Sequence, residues 1–369
     1  MHHGMLTVYK EAGYTSSDAV ARLRGILRMR KIGHTGTLDP DAEGVLPMCL
    51  GNATRICELI ADREKEYLAV MRLGVLTDTQ DMSGDILKQI PDEQIPEILL
   101  RASENSDNAE AGTLSEQSGL KRLPELSGDE SEAILRKICE TAAGFTGQID
   151  QIPPMYSAIK VNGKRLYDMA RKGITVERKP RRITIYSLDI EKVELPLVTM
   201  RVRCSKGTYI RTLCEDLGNA LGTGAAMQSL LRTRVGQFTL DEARTLDDLE
   251  HIAKTEPDKL LPLIRPVDSF FADLSAASCV PDAVRLLKNG NQLSMQEFRF
   301  LKTEEDPQQA WKNDHSVFDT STLPGVNPGE NVIRMYDPDG IFYGLYKNRA
   351  HGKGRYFYSA YKMFLPEPN

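Results

Sequence analysis

Apolar residues recur along the chain at two spacings, one typical of strands and one typical of helices. Their pattern predicts strands at 5–10, 45–50, 65–73, 182–193 and 197–204. The sequence Ser16-Ser17-Asp18 is suited to capping a helix. After it, helical spacing predicts a buried stripe of Ala19, Val20, Leu23, Ile26 and Leu27. Further helices are predicted around 134–138, after 208 and over 242–254.

The pattern changes character near residue 265. The helix predicted over 242–254 closes a first region, and the sequence beyond it is rich in strands, with a turn sequence at 337–340. A length of 369 residues suits two domains. We expect these domains at 1–263 and 266–369.

Two polar segments interrupt this arrangement. Between residues 92 and 132 the sequence has eleven acidic residues and three basic ones, with many Ser, Gly and Asn. Such a composition predicts a solvated, mobile insert that takes no part in catalysis. A second insert, polar and containing Pro, is predicted over 303–330.

The distribution of charge changes the picture that the total suggests. A net charge of −5 alone speaks against nucleic-acid binding, but a basic face can coexist with acidic inserts. Residues 151–182 contain nine Lys or Arg and two acids, and Tyr156 and Tyr167 lie among them. Because cations contact phosphates and rings stack on bases, this stretch suits an RNA groove. A solvated basic surface is the alternative.

Other classes of protein are disfavoured by composition. With 41% hydrophobic and 27% charged residues the chain is globular. Its six cysteines form no CxxC pair, which predicts reduced thiols in a cytoplasmic protein. The few His residues do not cluster, so no zinc site is expected, and no apolar run reaches membrane-spanning length.

The densest cluster of Gly, Pro and acidic residues is GHTGTLDPDAEGVLP at 33–47. Gly36 and Gly44 allow backbone angles that other residues resist, and Pro40 pushes Asp39 toward an extended conformation. The loop is therefore suited to holding the Asp39 carboxylate in a fixed pose, although a purely structural turn has a similar composition.

Two known ligand-binding loops do not fit this segment. A phosphate-binding P-loop needs a Lys after its glycines, and none follows here. An EF-hand loop that began at Asp39 would place Leu50 where calcium requires a bidentate Glu.

The motif at 33–47, followed by CLGNATR, resembles the catalytic motif of the TruB-type tRNA pseudouridine synthases. The resemblance extends over most of residues 5–263 outside the acidic insert. It implies an α+β catalytic domain with a central mixed, mainly antiparallel sheet flanked by helices, and an RNA-binding thumb at about 148–180. The C-terminal strands resemble a small β-barrel of the PUA type, an RNA-binding module.

This resemblance also implies roles for single residues. Asp39 would be the catalytic residue, acting as nucleophile or base. Tyr67 would stack on the target base and is a candidate for the base that removes the final proton. Substrate binding is assigned to His34, Tyr209, Leu230, Lys10 and Lys160.

Arg211 is expected to pair with Asp39. It falls in the first turn of the helix predicted after Thr208, where the helix dipole disfavours a positive charge. A nearby anion would offset that effect, and the resemblance places this Arg beside the catalytic Asp. Such a pair would keep Asp39 ionised in a desolvating pocket.

The implied reaction is isomerisation of the uridine at tRNA position 55, in the T-loop, after the base is flipped out of its stack. No cofactor or metal is expected, because the reaction includes no redox step. We expect tRNA as partner, a monomer without an obligate protein partner, and no membrane association. A guide-RNA-dependent synthase of the dyskerin type and a non-enzymatic tRNA-binding or tRNA-folding protein are the alternatives.

Overall fold

The computed structural model describes residues 2–104, 127–157, 159–161, 163–174, 176–308, 331–351 and 355–365. Its helices are α1 (Ser16–Leu27), α2 (Cys57–Ala61), α3 (Ile95–Glu104), α4 (Gly128–Ala143), α5 (Leu166–Ala170), α6 (Ile210–Ala220), α7 (Leu246–Thr255) and α8 (Val284–Lys288). Short 3-10 helices include Gly51–Ile56, directly before α2.

The first twelve strands are β1 (Gly4–Lys10), β2 (Ile32–His34), β3 (Glu43–Leu50), β4 (Lys65–Leu73), β5 (Val75–Thr77), β6 (Ile86–Gln89), β7 (Gly147–Gln151), β8 (Lys160–Val161), β9 (Lys164–Arg165), β10 (Arg181–Glu194), β11 (Leu197–Cys204) and β12 (Ala225–Val235). The others are β13 (Phe238–Thr239), β14 (Ile264–Arg265), β15 (Ala276–Cys279), β16 (Leu293–Ser294), β17 (Phe298–Phe300), β18 (Val332–Tyr336), β19 (Phe342–His351) and β20 (Arg355–Met363).

The chain forms two compact units, each made of segments that are distant in sequence. The first unit comprises residues 1–40, 45–61 and 236–369, and the second comprises 41–44 and 62–235. The N-terminal segment thus packs with the C-terminal part of the chain.

An antiparallel sheet of strands β7, β10, β11, β4 and β12 forms the second unit. Strand β4 is buried at every second residue, as its alternating sequence predicts. The residues Glu43 and Gly44 pair in parallel with β12, which makes the sheet mixed. Gly44 has φ +107°, and a Cβ atom there would lie 2.2 Å from the carbonyl oxygen of Arg232. Only Gly allows this approach.

The first unit contains two hydrophobic cores. In one, helices α1 and α7 pack on strands β1 and β3, and the buried residues include Leu23, Leu46 and Leu249. The other core belongs to a six-stranded, mainly antiparallel sheet in the order β16-β20-β19-β18-β15-β17. This second sheet fits the expected PUA-like barrel.

The expected acidic insert is shorter than the sequence predicted. Its first part forms helix α3, which buries Ile95 and Leu99 one turn apart, and its last part begins helix α4. The prediction missed this apolar spacing because the acidic residues around it dominate the composition. The central part, 105–126, lies outside the described residues.

The C-terminal insert also begins later than predicted. Buried Asp306 accepts hydrogen bonds from Arg334 at 3.0 and 2.6 Å, and buried Gln308 donates to Asp268 at 2.9 Å. These bonds attach the start of the segment to the barrel. Residues 309–330 lie outside the described residues.

Candidate active site

The loop that carries Asp39 is fixed on both sides of that residue. Before it, buried Ser16 binds the backbone of Leu38, accepting from its N–H at 2.9 Å and donating to its carbonyl at 3.3 Å. After it, the ammonium of Lys10 donates to the carbonyl of Pro40 at 2.9 Å. Asp39 itself is half-buried. The first unit therefore holds the backbone on both sides of Asp39.

Lys10 does not lie where a substrate-binding cation would be expected. Its side chain is fully buried, and its ammonium also donates to the carbonyls of Glu11 at 2.9 Å and Tyr14 at 2.6 Å. Three carbonyl contacts compensate its desolvation. We propose that Lys10 positions the Asp39 loop, in place of the contact with substrate expected from the sequence.

His34 ends strand β2 and lines a basic cleft in the first unit. The cleft has a volume of about 620 Å³. Its lining includes the exposed cations Arg24, Arg30 and Lys31, and it contains no acidic residue among those described. Such a concentration of positive charge beside the Asp39 loop suits a polyanion.

Arg211 lies in the first turn of α6 in the second unit, as predicted, and is almost completely buried. Its guanidinium donates to the carbonyls of Thr79 at 3.1 Å and Tyr156 at 2.9 Å and to Asp81 Oδ2 at 3.3 Å. One planar group thus joins α6 to the turn after β5 and to the start of the thumb.

Asp81 both orders its own turn and contacts Arg211. Its Oδ1 accepts from the Thr79 hydroxyl at 2.7 Å and from the Ser83 N–H at 3.1 Å, which orders the turn. Its Oδ2 contacts Arg211, 130 residues away in sequence. Local sequence carries no signal for that second contact.

Tyr209 is the N-cap residue of α6. Its backbone is held by Gln151, whose amide donates to the Tyr209 carbonyl at 3.0 Å and accepts from the Tyr209 N–H at 2.8 Å. Buried Gln151, which the sequence analysis did not single out, therefore fixes the start of α6.

Tyr67 and Leu230 lie together in the second unit. On the paired strands β4 and β12, Tyr67 is opposite Arg232 and Leu230 is opposite Ala69, and all four are buried. Alternation along each strand puts them on one face of the sheet. The expected stacking residue and the expected pocket residue are therefore neighbours.

The remaining predicted site residue, Lys160, has its backbone in the short strand β8. Its side chain lies outside the description. Within the described ranges, no group of three or more His, Cys, Asp or Glu side chains is arranged to hold a metal ion. In that same part of the chain, no helix is both long and apolar enough to cross a membrane.

Known protein families match this chain over most of its length. The model of the TruB family pseudouridylate synthase N-terminal domain matches residues 24–109 and 124–210, and that of the tRNA pseudouridylate synthase B C-terminal domain matches 211–272. A protein named tRNA pseudouridine synthase B from Lachnoclostridium phytofermentans is 40% identical, covering 98% of this chain and 100% of that protein. The chain belongs to the TruB family of pseudouridylate synthases. It is therefore an isomerase.

Other comparisons agree with this family. A protein of the same name from Alkaliphilus oremlandii is 42% identical over 72% of this chain and 75% of its own length. A solved H/ACA ribonucleoprotein, bound to a substrate RNA containing 2′-deoxyuridine, matches with a TM-score of 0.59 and 22% identity, over 99% of this chain and 86% of that one. At this identity the match supports the pseudouridine synthase fold only.

Lys65, two residues before Tyr67 on the same buried face, provides a test of the site's electrostatics. Burial, and next the charge of Arg232, lower the pKa of Lys65 from 10.5 to about 8. Between pH 8 and pH 10.5 the unfolded chain binds more protons at Lys65 than the folded chain does. The free energy of unfolding therefore rises with pH across this window, and that gain is lost as pH falls back to 8.

We expect wild type to gain about 2–3 kcal/mol of unfolding free energy relative to Lys65→Met between pH 7.5 and pH 10.5, measured by urea denaturation. Lys192→Met, which removes an exposed lysine paired with Glu194, is the matched control and should show no such trend. Parallel pH curves for wild type and Lys65→Met would contradict this assignment.

Proposed function

We propose that this enzyme converts the uridine at position 55 in the T-loop of tRNA to pseudouridine, with Asp39 as the catalytic carboxylate. The observation that carries the proposal is the loop geometry, in which Ser16 and Lys10 hold the backbone on both sides of Asp39. The full-length similarity to proteins named tRNA pseudouridine synthase B supports tRNA as the substrate.

The chemistry needs one well-placed carboxylate. The N1–C1′ bond of the uridine breaks, the uracil rotates, C5 bonds to C1′, the C5 proton leaves, and N1 takes up a proton. Asp39 starts this sequence as nucleophile or as base. Atoms and electrons balance within the nucleotide, so the proposed reaction requires no cofactor.

We propose that Arg211 holds the Asp39 carboxylate ionised, and that Asp81 orients Arg211 for this role. The contacts of Arg211 with Thr79, Asp81 and Tyr156 support a fixed guanidinium. A guanidinium fixed in this way needs no rearrangement when it binds a carboxylate in a desolvated site.

In this proposal the flipped uridine is bound by the side chains that the family resemblance assigns to substrate. Tyr67 stacks on the base, Leu230 and Tyr209 line its pocket, and His34 holds the opened loop. The cleft containing Arg24, Arg30 and Lys31 and the basic thumb contact phosphates. Flipping costs a few kcal/mol, which these contacts offset.

The alternatives differ in what the enzyme needs besides tRNA. Similarity to the bacterial synthases at 40% identity over the whole chain favours a stand-alone enzyme over a guide-RNA-dependent one. We propose that it acts as a monomer in the cytoplasm, without an obligate protein partner. Activity of the pure protein, with its mass measured by light scattering, tests this.

A T-arm stem-loop is expected to be a substrate, because bases in loops are already partly unstacked. We expect kcat/KM on the T-arm within about tenfold of full tRNA, and at least about 100-fold lower on a scrambled loop with the same stem. Steady-state kinetics on the three RNAs measure this. Equal values on the scrambled loop, or no activity on the T-arm, would show that recognition lies elsewhere.

A further inference from the structure

Strand β12 places an arginine where the sheet pattern demands an apolar side chain. Residues Leu230, Arg232 and Val235 point into the buried face, and Arg232 is only 1% exposed. Burying a guanidinium is costly unless its hydrogen bonds are satisfied. Departures from pattern of this kind concentrate at functional sites.

The side chain opposite this arginine is Tyr67. The two residues are register partners on antiparallel strands, and their side chains are hydrogen-bonded. Burial lowers the pKa of the Arg232 guanidinium, and the contact with the Tyr67 oxygen opposes that shift. A second buried cation, Lys65, lies on the same face and is near enough to repel Arg232.

A guanidinium hydrogen-bonded to a phenol in a buried site favours negative charge on the phenol oxygen. A neutral phenol offers the guanidinium a weak acceptor, whereas a phenolate offers a charge-assisted hydrogen bond, about twice as strong. A Tyr that serves as general base must spend part of its time as phenolate near neutral pH, where a free phenol is almost entirely protonated.

We infer that Arg232 is a positioning residue for the last proton transfer, acting through Tyr67. This inference rests on the proposed isomerisation of a T-loop uridine. After C5 has bonded to C1′, it still carries its hydrogen. The Tyr67 phenolate takes that proton, and the C–H electron pair forms the C5=C6 double bond of pseudouridine. The electron pair of the N1=C6 bond moves to N1, which takes up a proton from water, and the phenol proton passes to water when product leaves. Arg232 holds the phenolate in place and stabilises its charge.

The test uses T-arm RNA whose target uridine carries hydrogen or deuterium at C5. In Arg232→Met the proton transfer slows, so kcat falls on the order of 100-fold with little change in KM, and the deuterium isotope effect on kcat rises above the wild-type value. Arg232→Lys keeps a cation but lacks the planar fork of a guanidinium. Its kcat and isotope effect should lie between those of wild type and Arg232→Met. It also serves as the test if the Met variant does not fold.

Two controls separate this role from a structural one. Arg234→Met removes a half-buried neighbour on β12 that pairs with Glu64 at 2.9 Å, and it should leave the isotope effect unchanged. In a Tyr67→Phe background, Arg232→Met should lower the rate no further. A lower kcat without a larger isotope effect, or losses that add in the double variant, would overturn the inference. Wild-type turnover on the same RNA tests the proposed function separately.

Discussion

Asp39→Asn is expected to lower kcat on the order of 10⁴-fold or more and to leave RNA binding within a few-fold of wild type. The amide keeps the shape of the carboxylate but is neither a nucleophile nor a base, and losses of this size follow removal of such a group. The contacts that hold the loop, from Ser16 to Leu38 and from Lys10 to Pro40, reach only backbone atoms. The substitution therefore leaves these two contacts in place.

Single-turnover kinetics and filter binding on T-arm RNA measure the two quantities separately. Asp41→Asn is the matched control, since it neutralises an exposed acid two residues away and should keep near wild-type turnover. Appreciable multiple turnover by Asp39→Asn would remove Asp39 from the mechanism.

Arg211→Ala is expected to lower kcat on the order of 10³-fold, and Arg211→Lys on the order of 10-fold. Truncation to Ala removes the proposed partner of Asp39 and leaves the half-buried Asp81 carboxylate without its contact. Lys keeps a charge, but a single ammonium cannot reproduce a planar fork that donates to Thr79, Asp81 and Tyr156 together.

The control for charge alone is Arg72→Ala, which breaks a more exposed pair with Asp92 and should have little effect on rate. Thermal unfolding of each variant separates a loss of fold from a loss of chemistry. If the Ala variant matched wild type, or if Ala and Lys were equally impaired, the proposed role of the Arg211 guanidinium would be refuted.

Local pattern was sufficient for much of the fold. The alternation in 65–73 gave strand β4 with its observed bounds, and the predicted strand at 197–204 coincides with β11. These elements are decided by side-chain period and flanking turns, which short stretches of sequence contain. The division of the chain into compact units is harder to predict from local pattern, because it depends on which distant segments pack together.

In the candidate site, too, local sequence indicated some residues and not others. Asp39 was proposed from the sequence because its loop is long and distinctive, and Ser16 and Lys10 hold the backbone on both sides of it. Gln151 and Asp81 were missed because their partners lie 58 and 130 residues away. One feature could have indicated Arg232, because it is a charged residue at an inward-facing position of a strand. That position can be recognised only when the register of β12 is known.

The most direct test of the account is to map pseudouridine in unmodified tRNA after incubation with the pure protein alone. We predict one new pseudouridine, at position 55, formed by wild type and absent with Asp39→Asn. No pseudouridine, modification at another position, or a reaction that requires an added guide RNA would contradict the account.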